Sequence, residues 1–344
     1  MTTMAAPPPA LDRARHQIEP ELRAAVARLD PGNRAIAAYH LGWTEADGRP
    51  RSAAGGKAVR PAMALLATEA AGAAPATGLP AAVAVELVHN FSLIHDDVMD
   101  GDVERRHRPT VWAIWGVPAA VLAGDALLVL AQDVLLRAGP AGAAAAEALT
   151  RSTGELIRGQ MEDLAFERRA RVELAECRRM AAGKTGALLA ASARTGALLA
   201  GADEPVVEAL SRYGEHVGMA FQLVDDVLGI WGDPVLTGKP VLSDLRAKKK
   251  SLPVTYVLGR DDARSAALAD WLAGPENERA GPGDEAELVT IATLIEAAGG
   301  RSWAIAEAER EVEQAVAALY SVPLAEPART ELVGLTRFLT RREA

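Results

Sequence analysis

Helical periodicity runs through almost the whole of this 344-residue chain and limits the fold more than any other feature. Apolar residues recur at three- and four-residue spacing in one stretch after another, separated by Gly- and Pro-rich joints. The spacing predicts helices over about 17–29, 58–73, 79–104, 118–138, 142–167, 171–200, 204–231, 285–298, 301–319 and 325–341. No alternating pattern lasts long enough to build a sheet, and no fixed period marks a solenoid. Aromatics are only 4% of residues and alanine is abundant, which suits closely approaching helices better than a β-sandwich. Two stretches, 231–250 and 274–285, read as loops, but the same helical pattern resumes after each. The expectation is an all-α protein. Residues 1–16 form a flexible Pro-rich segment and 17–344 a single helical domain.

Acidic residues exceed basic ones by nine, so the broad basic face that a duplex binder needs is missing. No nucleic acid partner is expected. Cys177 is the sole cysteine, which excludes an internal disulfide or a cysteine-based zinc site and fits a reducing, cytoplasmic setting. The first residues carry no basic segment followed by an apolar one. The longest charge-free run, 111–124, is 14 residues, short of the roughly 20 needed to span a bilayer. Of 37 basic residues only six are lysines, at 57, 184, 239, 248, 249 and 250. Arginine supplies the ordinary positive charge, so each lysine marks a place where a compact ammonium has a use.

Chemistry concentrates in residues 86–110. On a helix, His89, Asp96 and Asp100 fall within about 40° of one another, with Asp97 one position round. Carboxylates four apart repel; a hard cation such as Mg²⁺, sharing its shell with substrate phosphates, removes that penalty. The basic run Arg105, Arg106, His107, Arg108 follows directly. The theme repeats with Gln222, Asp225 and Asp226 ahead of Lys239 and Lys248–Lys250. Two such units suggest two walls of one pocket for a metal and an anion, against the blander reading of solvated charged faces. Lys57 and Arg60 follow a glycine pair at the start of a predicted helix, a place where backbone N–H groups and cations bind anions. Lys184 and Thr185 lie in an otherwise apolar stretch, where a lysine can also snorkel to the surface.

These motifs resemble the trans-isoprenyl diphosphate synthases, or polyprenyl synthetases, in the family's order from about residue 50 to 258. Asp96-Asp-Val-Met-Asp100 is similar to the family's first aspartate-rich motif, and Asp225-Asp226 to its second. Lys57, Arg60, His89 and Arg106 match the isopentenyl diphosphate site. Arg105, Lys184, Thr185, Gln222 and Lys239 match groups around the allylic diphosphate. The resemblance implies a bundle of ten or more helices around a deep central cavity, usually a homodimer. It also implies three Mg²⁺ ions, with Asp96, Asp97, Asp100, Asp225 and Asp226 as metal-side groups. The implied reaction is ionisation of an allylic diphosphate, attack by isopentenyl diphosphate and loss of a proton. Asp96, Asp100, Arg105, Lys184, Asp225 and Lys239 are its catalytic set. One departure stands out: the second motif usually ends in a third aspartate, and here that position is Gly229.

In similar enzymes the residues five and four before the first motif set product length. Here they are Phe91 and Ser92. A single aromatic at the first of these resembles synthases making the C20 product, geranylgeranyl diphosphate, with farnesyl diphosphate as the alternative. A class I terpene cyclase shares the fold but lacks the Lys57–Arg60 site. A non-catalytic partner subunit would tend to lose one or both aspartate motifs.

Overall fold

The computed structural model describes residues 7–51, 56–169, 171–232, 241–274 and 282–340. The helices are α1 (Pro9–Val26), α2 (Pro31–His40), α3 (Val59–Ala70), α4 (Pro75–Met99), α5 (Val111–Trp115), α6 (Val117–Leu136), α7 (Gly142–Glu167) and α8 (Leu174–Ala181). A π-helical turn (Ala182–Gly186) leads into α9 (Ala187–Leu199). Then come α10 (Glu204–Trp231), α11 (Ser243–Arg246), α12 (Leu252–Leu258), α13 (Ala263–Ala273), α14 (Pro282–Ala297), α15 (Gly300–Tyr320) and α16 (Ala328–Thr340). Among the described residues the only strands are β1 (Glu104–Arg105) and β2 (Arg108–Pro109), a two-stranded antiparallel hairpin. The all-α expectation stands.

Several boundaries differ from the periodicity. Helix α1 starts at Pro9, inside the segment expected to be flexible, because proline fits a first helical turn whose N–H groups lack partners anyway. Leu11 and Ala14 of that turn are buried. Helix α4 stops at Met99 instead of continuing to 104, because Gly101 takes a left-handed conformation (φ +70°) suited to ending a helix. The hairpin and the short helices α2, α5, α11, α12 and α13 escape a periodicity reading because each is too brief to show a full apolar face.

Contacts divide the chain into two compact units. The first comprises Met1–Thr153, Leu188–Ser211 and Leu319–Gly334; the second comprises Gly154–Ala187, Arg212–Ala318 and Leu335–Ala344. In the first, α4 lies along α6 and against α3, and α3 also meets α1. Leu66, Leu87, Leu127 and Leu135 are fully buried there, each contributing about 1.5–3 kcal/mol by leaving water. Small residues set how closely helices approach. A Cβ on Gly196 of α9 would overlap the carbonyl oxygen of Ala64 on α3. With glycine there, Thr68 Oγ1 donates at 3.0 Å to the carbonyls of both Ala64 and Gly196. The alanine-rich composition is therefore a packing device.

The second unit has two buried clusters. Phe166, Cys177, Met219, Leu223 and Leu252 belong to one; Ile230, Leu245, Val254, Leu268 and Ile295 belong to the other. Burial pushes the Cys177 thiol up to about 12, so it stays protonated and acts as a small apolar side chain.

Helices α4 and α6 are both long and apolar enough to cross a membrane by length and composition. The charge-free run 111–124 missed this because it ends at Asp125, and isolated charges do not disqualify a window. The apolar window of α4 is 67% buried within the protein, that of α6 only 39%.

Candidate active site

The first unit gathers one set of predicted groups. Gly55 lies outside the described residues. Gly56 lies directly beneath Arg106: a Cβ on it would come 3.0 Å from Nη2 of that arginine. Its carbonyl also accepts from Arg15 Nη2 at 3.3 Å. Lys57 follows, and then Ala58, held left-handed (φ +52°) as α3 begins. Arg60 is in the first turn, its Nε buried with no hydrogen-bond acceptor among the described residues.

The hairpin accounts for the placement of the two arginines. Arg106 and His107 both take positive φ (+53° and +59°), as a type I′ turn demands and as Asn-Gly usually supplies. Non-glycine residues in such backbone store about 1–3 kcal/mol each, a cost that recurs at functional sites. The turn sends neighbouring guanidiniums to different partners. Arg105 Nε donates to Asp97 Oδ1 at 2.6 Å, whereas Arg106 goes to Gly56 and the field of Glu86. Arg108 pins the hairpin by donating to the carbonyls of Tyr39 and Thr44, both at 2.9 Å. A cavity here is lined by His40, Asp97, Arg51, Arg105, Arg106 and Arg108.

Three residues that the sequence motifs did not point to complete this wall: His40, Glu86 and Asn90. Asn90 Nδ2 donates to the backbone carbonyl of Glu86 at 2.8 Å and to its Oε1 at 3.2 Å. Enclosure pushes the Glu86 carboxyl up, opposed by Arg60. Enclosure, reinforced by neighbouring arginines, holds His89 well below its usual range and His40 down to about 3. Both imidazoles are neutral at pH 7, while the unfolded chain protonates below about 6.5. Their contribution is therefore present above that pH and lost as pH falls below it; for His40 the loss runs from 6.5 toward 3 and amounts to about 2 kcal/mol between pH 7 and 5. In urea melts, His40→Asn and His89→Asn should each flatten this acid limb relative to the parent; parallel pH profiles would refute the assignment.

Asp96 and Asp100 share a helical turn, Asp100 capping α4 and its N–H bonding the Asp96 carbonyl at 2.8 Å. Asp97 instead points inward and is 1% exposed. Its Oδ1 takes Arg105, and its Oδ2 is buried with no donor among the described residues.

The second unit gathers another set. Lys184 and Thr185 sit in the π-helical turn, a form that recurs at functional sites. Lys184 Nζ pairs with Asp163 Oδ2 at 2.5 Å. Thr185 Oγ1 donates to Gln222 Oε1 at 2.6 Å, and Gln222 Nε2 donates to Asp226 Oδ1 at 2.7 Å. The other oxygen of Asp226 accepts from the Leu252 N–H at 2.8 Å, at the start of α12. Both oxygens of Asp226 thus hold the structure together, and burial pushes its carboxyl up to about 6. Lys249 lies in the field of Asp226, Asp244, Asp163 and Asp225, which raises its pKa despite burial.

Lys239 lies outside the described residues. Lys248 and Lys250 reach backbone carbonyls at helix ends. Lys248 Nζ donates to the carbonyls of Trp271 and Gly274 (3.2 and 2.8 Å), and Lys250 Nζ to that of Glu167 (3.3 Å). These are helix C-terminal caps. Asp163 carries no sequence signal, because its partner Lys184 lies on a separate segment of the chain.

Gly229 has a tertiary reason. A Cβ there would fall 2.7 Å from Asp244 Oδ1 and still closer to the other carboxyl atoms. The Asp244 carboxylate occupies the space a side chain at 229 would need. Gly229→Asp, which restores the usual third aspartate, should therefore displace the Asp244 carboxylate and lower stability by about 1 kcal/mol, since it sets like charges side by side. Equal or higher stability with higher turnover would refute this.

An all-α scaffold thus carries two groupings of cationic and acidic side chains, one in each unit. Residues 49–286 match the family model described as polyprenyl synthetase. The (2E,6E)-farnesyl diphosphate synthase of Mycobacterium bovis is 52% identical over 98% of this chain and 93% of its own length. The geranylgeranyl diphosphate synthase of Mycobacterium tuberculosis is 41% identical over 97% and 93%. The crystal structure of a polyprenyl synthetase from Streptomyces coelicolor superposes with a TM-score of 0.90 at 49% identity, covering 96% of this chain and 98% of that one. The chain belongs to the polyprenyl synthetase family and is a trans-prenyltransferase of isoprenoid biosynthesis.

Proposed function

We propose that the protein condenses isopentenyl diphosphate with an allylic diphosphate and stops at geranylgeranyl diphosphate. The observation that carries the first part is Arg106 seated over Gly56, with Lys57 next in the chain and Arg60, like Arg106, in the field of Glu86. The acceptor-less Nε of Arg60 fits a diphosphate oxygen. Neutral His89 can donate one further hydrogen bond without adding charge. Arg105, Lys184 and Lys239 are assigned to the allylic diphosphate, where fixed cations stabilise charge developing on the leaving group.

Asp96, Asp97, Asp100 and Asp225 suit Mg²⁺. The buried, donor-less Oδ2 of Asp97 is an oxygen that a cation would satisfy. Among the described residues no three metal-ligating side chains converge on one point, which fits an ion that takes part of its shell from substrate phosphates and water. Bound Mg²⁺ would supply charge neutralisation at the departing diphosphate.

Product length rests on Phe91, 5% exposed and facing the packed interior of the first unit, beside the half-buried Ser92. Farnesyl diphosphate is the second reading, favoured by the 52% identity to a farnesyl diphosphate synthase. Incubation with labelled isopentenyl diphosphate, each primer and Mg²⁺, followed by chromatography of the products, decides between them. Lys57→Arg should raise the KM for isopentenyl diphosphate at least tenfold although charge is conserved, because a planar fork replaces a compact ammonium. Parent kinetics would remove the assignment.

We also infer a homodimer in the cytoplasm. Helix α6 leaves Val121, Leu122, Val129 and Leu136 exposed, Val129 at 69%, an apolar stripe suited to a second copy. Light scattering should give twice the chain mass, falling to one in Leu122→Glu,Val129→Glu.

A further inference from the structure

Phe91 is held in place by more than its own helix. The His95 imidazole, one turn further along α4, meets the Phe91 ring edge to face, with 4.8 Å between centroids and 70° between planes. Its Nε2 contacts the Val121 carbonyl of α6 at 3.0 Å. A carbonyl only accepts, so this contact puts the proton on Nε2. The ring fits there because residue 124 is glycine. A Cβ at that position would overlap Nε2 and Cδ2 and stand 3.1 Å from Cε1. Gly124 lies within the helical backbone of α6 and takes no left-handed conformation. Conformational freedom is therefore not its use. Alanine would favour the helix by about 1 kcal/mol, so what the glycine provides is space.

We infer that Gly124 and His95 are positioning residues for product length: Gly124 admits the imidazole to α6, and the imidazole braces Phe91. The inference rests on Phe91 being the residue that stops the growing prenyl chain. A brace acts through the wall and leaves the diphosphate-binding groups alone, so it should alter where elongation ends more than how fast a single condensation runs.

The test measures product chain length, single-turnover rate with the shortest primer, and thermal midpoint for Phe91→Ala, His95→Ala, Gly124→Ala and the His95→Ala,Gly124→Ala double variant. His95→Ala should raise the fraction of products longer than the parent's at least fivefold, with the single-turnover rate within about twofold. Gly124→Ala should displace the ring and also shift the product distribution. In the double variant the added methyl no longer meets a ring, so products should match those of His95→Ala alone and the midpoint should equal or exceed it. If Phe91→Ala lengthens the product while His95→Ala and Gly124→Ala keep the parent distribution, the brace is refuted and the wall stands. If Phe91→Ala also changes nothing, the wall itself falls and the brace with it. Should Gly124→Ala not fold, the product distribution of His95→Ala alone decides for or against the brace.

Discussion

Gly159→Ala is expected to remove most turnover and at least about 3 kcal/mol of stability, a cost in the range of severe overpacking. Helix α7 passes the π-helical turn at backbone contact. A Cβ on Gly159 would overlap Lys184 N and stand 2.9 Å from the Met180 carbonyl oxygen and 3.0 Å from Gly183 C. Its neighbours are main chain and cannot swing aside as a side-chain tip can. Gly183 faces the Glu155 carbonyl at 2.7 Å from its own missing Cβ, so the closeness is mutual. Any relief must move the turn that carries Lys184 and Thr185. Gly154, on the same helix with nothing within 4 Å of an added Cβ, is the control. Gly154→Ala should be neutral or stabilising by up to about 1 kcal/mol. Urea melts and steady-state kinetics on both variants check the pair; equal behaviour would show that the contact carries no weight.

The paired aspartates should separate into chemical and structural partners. Asp96→Asn and Asp225→Asn are expected to lower kcat about 10³-fold, the scale on which a lost charge-stabilising group acts, and to cost less stability than Asp226→Ala. Asp226→Ala should instead cost about 3 kcal/mol or more, because it leaves the Gln222 amide and the buried Leu252 N–H without their acceptor. Asp226 is 3% exposed and accepts from Gln222 and the Leu252 N–H, with Lys249 in its field. Asp97→Ala should show both effects, since one of its oxygens accepts from Arg105 in a buried position and the other is the one assigned to the cation. Thermal midpoints and kcat for the four variants give the separation. Midpoints that fall equally for Asp96→Asn and Asp226→Ala would contradict it.

The sequence alone was sufficient for the all-α class, because apolar spacing along a helix is local. The aspartate motifs were legible for the same reason, since each lies within a few residues on one helix, whereas Lys57, Arg60, His89 and Arg106 were grouped by resemblance to the family. The lysine count was a partial guide. Scarcity singled out Lys57 and Lys184, but Lys248 and Lys250 turned out to cap helices, a role fixed by distant carbonyls.

What only the tertiary structure decided are choices between side chains of the same kind. Arg105 and Arg106 are adjacent and alike in sequence; a strained turn gives them different partners. Asp225 and Asp226 differ by one position on α10, and it is Asp226 that accepts from the N–H at the start of α12. Gly229 reads in sequence as a missing acid and in three dimensions as room for Asp244. Gly124 and Gly159 read as weak points in helices and prove to be close approaches. Sequence spacing fixes the face of its own helix that a residue occupies, whereas the partner on that face comes from chain tens of residues away. Burial then determines whether a carboxylate serves the fold or stays open to chemistry.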